Sequence, residues 1–218
     1  MGIPPVLVCA AKKTWNWQWQ KLMNGLAPSD KKGNYQRPPS QKRNAKVLLQ
    51  DDLFNRPTQN LPILVIGRSC PWAHRTWLVY KLRGLDKTLN LLIANANSNE
   101  GRWRLDPPYL ECKSLTALYK TCNCPPNHRA TVPTLIDPGN KNNKTMPQLL
   151  GNESTQLVEV LNQWPTKSKD APNLAPHQLN EEILRWEDLI QNAVNDGVYR
   201  CGFARNQNAY DKACNELF

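Results

Sequence analysis

Val65-Ile66-Gly67-Arg68-Ser69-Cys70-Pro71-Trp72-Ala73-His74-Arg75-Thr76 is the stretch on which the reading of the chain turns. The apolar run Ile63 to Ile66 that leads into it has the length and branching of a buried strand. It breaks at Gly67, and Pro71 then opens a periodic segment with Trp77, Leu78, Tyr80, Lys81 and Leu82. Proline suits a first helical position, where the N–H it lacks has no intrahelical partner in any case. The pattern predicts strand, turn and helix, with Cys70 at the helix N-terminus. Backbone N–H groups and the positive end of the helix dipole favour an anion there. Cysteines so placed ionise at roughly 3.5–7.5 rather than about 8.5. A buried structural cysteine is the plainer alternative; the position favours a reactive thiolate over it.

A second cysteine three residues on would make a dithiol redox motif, but Ala73 stands there. A mixed disulfide on Cys70 therefore has to be opened by an outside thiol, for which glutathione is the abundant candidate. Monothiol, glutathione-coupled chemistry is the expectation. His74, about one helical turn on, is a proton relay or, more simply, a packing residue of the helix. His128 and His177 have no supporting context.

Outward from this motif, Leu89-Asn90-Leu91-Leu92-Ile93-Ala94 reads as a second strand, so strand, helix and strand imply a parallel β-α-β unit. Asn95 to Asn127 reads as irregular, with Pro107-Pro108 and a short amphipathic piece near Leu115, Leu118 and Tyr119. Thr131 to Asp137 is a third strand, with Pro133 near its start as a proline in a sheet must be. That proline is either a trans strand opener or a cis residue that presents the Val132 backbone to a ligand. Lys141 to Met146 reads as a hairpin turn into a short edge strand. Asn152 is the expected N-cap of a helix with Leu157, Val158 and Leu161 inward. After a linker, Leu179, Ile183, Trp186, Ile190 and Val194 form a regular inward stripe ending at Gly197, and a further helix starts near Gln207.

The 218 residues suffice for one large domain or two small ones. No apolar stretch reaches about 18 residues, which excludes a membrane-spanning helix. Met1 to Ala11 lacks the basic start and long apolar core of a signal peptide. Seven cysteines, odd in number and irregularly spaced, suit thiols of a reducing compartment, so the location is read as cytoplasmic. Net charge is +10, and residues 1–60 hold ten Lys or Arg against three Asp, with Trp15, Trp17 and Trp19 interleaved. Nucleic-acid binders interleave basic and aromatic residues in this way. No binding module accompanies the charge, however, and a solvated extension with aromatic anchors packing back on the core explains it as well; nucleic acid is not the expected partner. Pro28 to Gln59 reads as an extended arm. Cys112, Cys122, Cys124 and His128 offer soft metal ligands, but Cys-x-Cys spacing is poor for zinc, and no metal is expected.

Several runs, in order, resemble one family. Ser69 to Thr76 is similar to the active-site segment of the xi-class, omega-like glutathione transferases, the glutathionyl-hydroquinone reductases. Gly101-Arg102-Trp103-Arg104-Leu105-Asp106-Pro107 resembles their Gly-Trp loop, and Arg129-Ala130-Thr131-Val132-Pro133-Thr134-Leu135 the stretch around their cis-proline. Asn152-Glu153-Ser154 resembles their glutamate–serine pair. Val198-Tyr199-Arg200-Cys201-Gly202-Phe203-Ala204 and Gln207-Asn208-Ala209-Tyr210 match the start of their helical domain. The likeness runs from about residue 60 onward.

This resemblance implies an α/β thioredoxin-like N-terminal domain and an all-α C-terminal domain of the glutathione-transferase type, here shortened. The expected division is a basic extension over 1–59, a glutathione-binding domain over 60–165, a linker over 166–176 and the start of the helical domain over 177–218. It implies Cys70 as nucleophile, the Val132 backbone beside Pro133 pairing with the cysteinyl part of glutathione, Glu153 and Ser154 on its γ-glutamyl group, and Trp103 and Arg129 lining the tripeptide site. The expected activity removes glutathione, the co-substrate, from glutathionyl-(hydro)quinones through a Cys70–glutathione disulfide. Glutathione conjugation to electrophiles, a glutaredoxin- or dehydroascorbate-reductase-like activity, and a catalytically weak glutathione-binding role are the alternatives. The shortened helical part would leave apolar surface such as Trp186 exposed and so predicts a homodimer or poor solubility.

Overall fold

The structure, a computed structural model, describes residues 4–37, 53–97, 99–126, 128–139 and 145–218. It divides into two compact units, residues 40–176 and residues 1–39 with 177–218. The sequence reading keeps 1–59 apart as an extension; here residues up to 39 group with the helices after Pro176.

The larger unit is built around β1 (Ile63–Gly67), which is buried along its whole length and therefore apolar without alternation. α2 (Pro71–Leu82) leads from it to β2 (Asn90–Asn97), and the two strands pair in parallel, Ile63 beside Asn90 and Gly67 beside Ala94. On the other side of β1 runs antiparallel β5 (Thr134–Asp137), then β6 (Gln148–Gly151) at the edge. The expected turn over Lys141–Met146 falls largely outside the described residues. α4 (Ser154–Gln163) packs on α2. This is the expected thioredoxin-like α/β arrangement.

Two strands depart from the expectation of an irregular Asn95–Asn127. β3 (Arg102–Tyr109) pairs antiparallel with β2, and β4 (Cys112–Ser114) with β3, giving the sheet order β4-β3-β2-β1-β5-β6. Pro107 and Pro108 hide the strand because they cannot donate to a ladder; they fall in the register shift between Arg104 and Tyr109. Leu110 and Glu111 make the hairpin turn with positive φ of 48° and 62°, the conformation of tight two-residue hairpins. α3 (Leu115–Thr121) follows, capped by the Ser114 hydroxyl, which accepts from Ala117 N–H at 3.2 Å.

Trp164, just past α4, has no exposed surface. Its ring meets Phe54 edge-on at 4.8 Å and its Nε1 donates to the Thr88 carbonyl. Leu53 and Phe54 therefore belong to the core of this unit, not to an arm. The stretch Pro165–Pro176 is tied down as well. The Arg83 guanidinium donates to the Trp164, Ala171 and Pro172 carbonyls, the Thr166 hydroxyl donates to Arg83 O, and Leu174 N–H donates to Asn162 Oδ1.

In the second unit, α1 (Pro5–Leu26) is a helix where none was expected, and it buries none of its residues. Trp15, Trp17 and Trp19 stand exposed on it, so they do not pack back on the core. Pro28–Arg37 is folded rather than extended: Asp30 accepts from the N–H groups of Lys32 and Asn34, and Tyr35 stacks on Tyr199 and meets the Phe203 ring at a tilt. α5 (Asn180–Leu189) passes through a π-helical turn (Ile190–Asn195) into α6 (Gly197–Gly202), so the helix does not stop at Gly197. α7 (Gln207–Leu217) is capped by Asn206. The stripe expected to face inward is half exposed at Leu179, Trp186, Ile190 and Val194. Among the described residues no helix is long and apolar enough to cross a membrane.

Candidate active site

Cys70 caps α2. Its N–H donates to the Gly67 carbonyl at 3.0 Å, closing the turn after β1, and its carbonyl accepts from Ala73 and His74. Pro71 occupies the first helical position, as expected. The thiol is half buried and lies 3.4 Å from the Val132 carbonyl, to which it donates. The Val132–Pro133 peptide is cis, which resolves the alternative left open by the sequence. Thus the tip of β1–α2 and the loop entering β5 meet at the sulfur.

Trp103, reached from β3, closes the same corner. A Cβ at Gly67 would collide with the Trp103 ring and come within 3.1 Å of Val132 Cγ2. Gly67 therefore stands in the same corner as Cys70, Trp103 and Val132, where sequence reasoning treated it only as a strand breaker. A glycine at the very end of a buried strand, where a large side chain or backbone needs close approach, was the available signal. Arg129 stands exposed in the loop three residues before Val132.

Glu153 and Ser154 sit at the start of α4. Glu153, not Asn152, is the N-cap residue, and Ser154 opens the helix, buried. Asn152 instead reaches across to a neighbouring segment, where its Nδ2 donates to Tyr119 Oη at 3.4 Å and lies 3.2 Å from His128 Nε2. The Tyr119 hydroxyl donates to the Thr131 carbonyl at 3.0 Å and accepts from the Thr131 N–H at 3.4 Å. The His128 ring stands edge-on to Tyr119. One buried phenol thus joins the residue before Val132 to the residue before Glu153. Burial raises its pKa above the tyrosine norm, which keeps it a neutral donor. Thr134 Oγ1 donates to Gly151 O at 3.2 Å and clasps the same two segments further in. Tyr119, Thr134 and His128 were not among the expected site residues; their bonds run between segments distant in sequence.

His74 is exposed, its ring edge-on to Trp77 at 6.4 Å. Cys112 Sγ lies 3.3 Å from Thr121 Oγ1, and burial first, then Cys124, Cys112 and Asp137, push the Cys122 thiol up to about 12. Among the described residues no three His, Cys, Asp or Glu side chains are arranged to hold a metal ion.

A helix-capping cysteine beside a cis-proline loop, on a thioredoxin-like sheet, is an arrangement suited to thiol chemistry. Residues 69–164 match the glutathione S-transferase N-terminal domain. The chain is 31% identical over 164 residues to the glutathionyl-hydroquinone reductase YqjG of Escherichia coli, spanning 71% of this chain and 48% of that protein. The crystal structure of the glutathione-S-transferase Xi from Phanerochaete chrysosporium superposes with a TM-score of 0.69 at 25% identity, over 87% of this chain and 62% of that one. The glutathione-bound structure of YqjG gives 0.58 at 29% identity, over 72% and 52%. The chain spans about half the length of the curated reductases it matches.

Proposed function

We propose that this chain carries the glutathione-binding and thiol-transfer portion of a glutathione-dependent reductase acting on glutathionyl-(hydro)quinones. The Cys70 thiolate attacks the glutathione sulfur of the adduct. The S–S bond forms as the S–C bond breaks, and the ring carbon leaves with the electron pair and is protonated, releasing the hydroquinone. A second glutathione thiolate attacks the mixed disulfide, giving oxidised glutathione and regenerating Cys70. Covalent catalysis divides one difficult step into two easier ones. The Val132 backbone pairs with the cysteinyl unit, Glu153 balances the γ-glutamyl ammonium, the α4 N-terminus with Ser154 receives its carboxylate, and Trp103 and Arg129 line the tripeptide.

The observation that carries this reading is the half-buried Cys70 sulfur at the start of α2, 3.4 Å from the Val132 carbonyl, with alanine where a resolving cysteine would stand. Conjugation of glutathione to electrophiles fits less well, because a cysteine there is itself modified. The test is incubation with glutathionyl-menadione and glutathione while oxidised glutathione is followed. Turnover is expected, falling at least roughly 10³-fold in Cys70→Ala as nucleophile removal does elsewhere. Equal turnover in the variant would remove Cys70 from the mechanism. The exposed stripe of Leu179, Trp186 and Ile190 favours a second reading, a glutathione-binding protein of weak activity; its signature is affinity without turnover. A cytoplasmic location and a homodimer belong to the same proposal. Sedimentation as a monomer at micromolar concentration would eliminate the dimer.

A further inference from the structure

Cys70 has no partner thiol on its own helix, but the second unit holds two sulfurs together. Cys201, in the last turn of α6, and Cys214, in α7, lie 3.6 Å apart, with the Cys214 thiol directed at the Cys201 sulfur. Both are half buried, so a small reagent reaches them. The spacing is held from both sides. Arg200 ion-pairs with Glu216 and donates to the Asn192 carbonyl at 2.9 Å, fastening α6 to α7 beside the sulfurs. Three residues earlier on α6, Gly197 is buried, and a Cβ there would sit 3.3 Å from Leu217 Cδ1. The two helices are therefore packed at a distance that brings the sulfurs together, 3.6 Å apart, where a disulfide holds them at about 2.05 Å.

We propose that Cys201 and Cys214 form a dithiol site that exchanges with small disulfides of the oxidised-glutathione class. One thiolate attacks oxidised glutathione, forming a protein–glutathione disulfide and releasing one glutathione thiolate, which takes up a proton. The second protein thiolate attacks the protein-side sulfur, breaking the mixed disulfide and releasing the second glutathione. The protein dithiol is oxidised and one oxidised glutathione is reduced to two thiols. The intermediate is short-lived because its resolving sulfur is already in place, the reverse of the situation at Cys70.

Trypsin cuts after Arg200, Arg205 and Lys212, so Cys201 and Cys214 fall in separate peptides, each holding no other cysteine. The protein is equilibrated with excess oxidised glutathione, quenched in acid, alkylated and digested. The expected product is the peptide Cys201–Arg205 linked to the peptide beginning at Ala213, without glutathione on either, and reversed by reduced glutathione. The Cys70→Ser protein is expected to form the same link. In Cys214→Ser, Cys201 is expected to retain a glutathione adduct. Separate glutathione adducts on the two wild-type peptides, or alkylation of both while Cys70 is oxidised, would overturn the site. Should Cys214→Ser not fold, the wild-type peptide map decides by itself. Failure of the quinone reaction leaves this outcome untouched, since the link does not pass through Cys70.

Discussion

The Tyr119 hydroxyl bonds both backbone groups of Thr131 and the side chain of Asn152, so a single phenol steadies the segments that carry Val132 and Glu153. Hydrogen bonds of this kind contribute roughly 0.5–1.5 kcal/mol each, so Tyr119→Phe is expected to weaken glutathione binding about tenfold. Calorimetric titration checks this, and circular dichroism establishes that the fold is kept. Unchanged affinity would show that the two segments hold their places unaided. Gly67 invites a sharper test. Gly67→Ala drives a methyl into the space of the Trp103 ring, and overpacking of that sort costs about 1–3 kcal/mol. The alanine and Trp103→Ala are each expected to reduce glutathione affinity, and the double variant to be no worse than the weaker single. A fully additive double variant would separate the two positions. Cys70 and its proline were legible because helix starts have a local chemistry. The phenol and the glycine were not, since their importance lies in what crosses to meet them.

Among the elements, β1, α2 and β2 were readable from apolar runs with a turn between, because a strand buried on both faces has no other composition open to it. β3 escaped because Arg102, Arg104 and the two prolines look like a loop. Its pairing with β2 is carried by the backbone of Arg102–Leu105, which composition does not report. α1 escaped for a related reason: it buries nothing, so no inward stripe marks it. α4 shows what a marked element looks like, with Leu157, Val160 and Leu161 buried; Val158, expected inward, is only partly covered. Past its end, Trp164 is wholly enclosed and hydrogen-bonded to Thr88. Trp164→Ala is expected to cost about 3–5 kcal/mol in urea unfolding. A loss under about 1 kcal/mol would mean that the space left behind refills.

Taken as a whole, the larger unit hides its acidic protons. Burial, then Asp137 and Cys122, lifts Tyr109 from 10.0 to about 12, and Cys122 rises from 9.0 to about 12. In the unfolded chain these groups ionise near their ordinary values, while the folded chain holds its protons longer. Their contribution to stability is complete below about pH 9 and drains away as pH climbs toward the folded values. Stability is therefore expected to fall between pH 9.0 and 12, and to fall less steeply in Cys122→Ala, as measured by denaturant titration at a series of pH values. Parallel curves for the two proteins would refute the assignment. One further feature bears on how such a molecule can be rebuilt. Because Arg83, at the far end of the helix that begins at Cys70, grips the carbonyls of Trp164, Ala171 and Pro172, the segment leading to Pro176 is a moored rope, not a slack one. A foreign module spliced in after Pro176 would inherit a fixed point of departure, and lengthening the splice would give it reach without loosening the mooring.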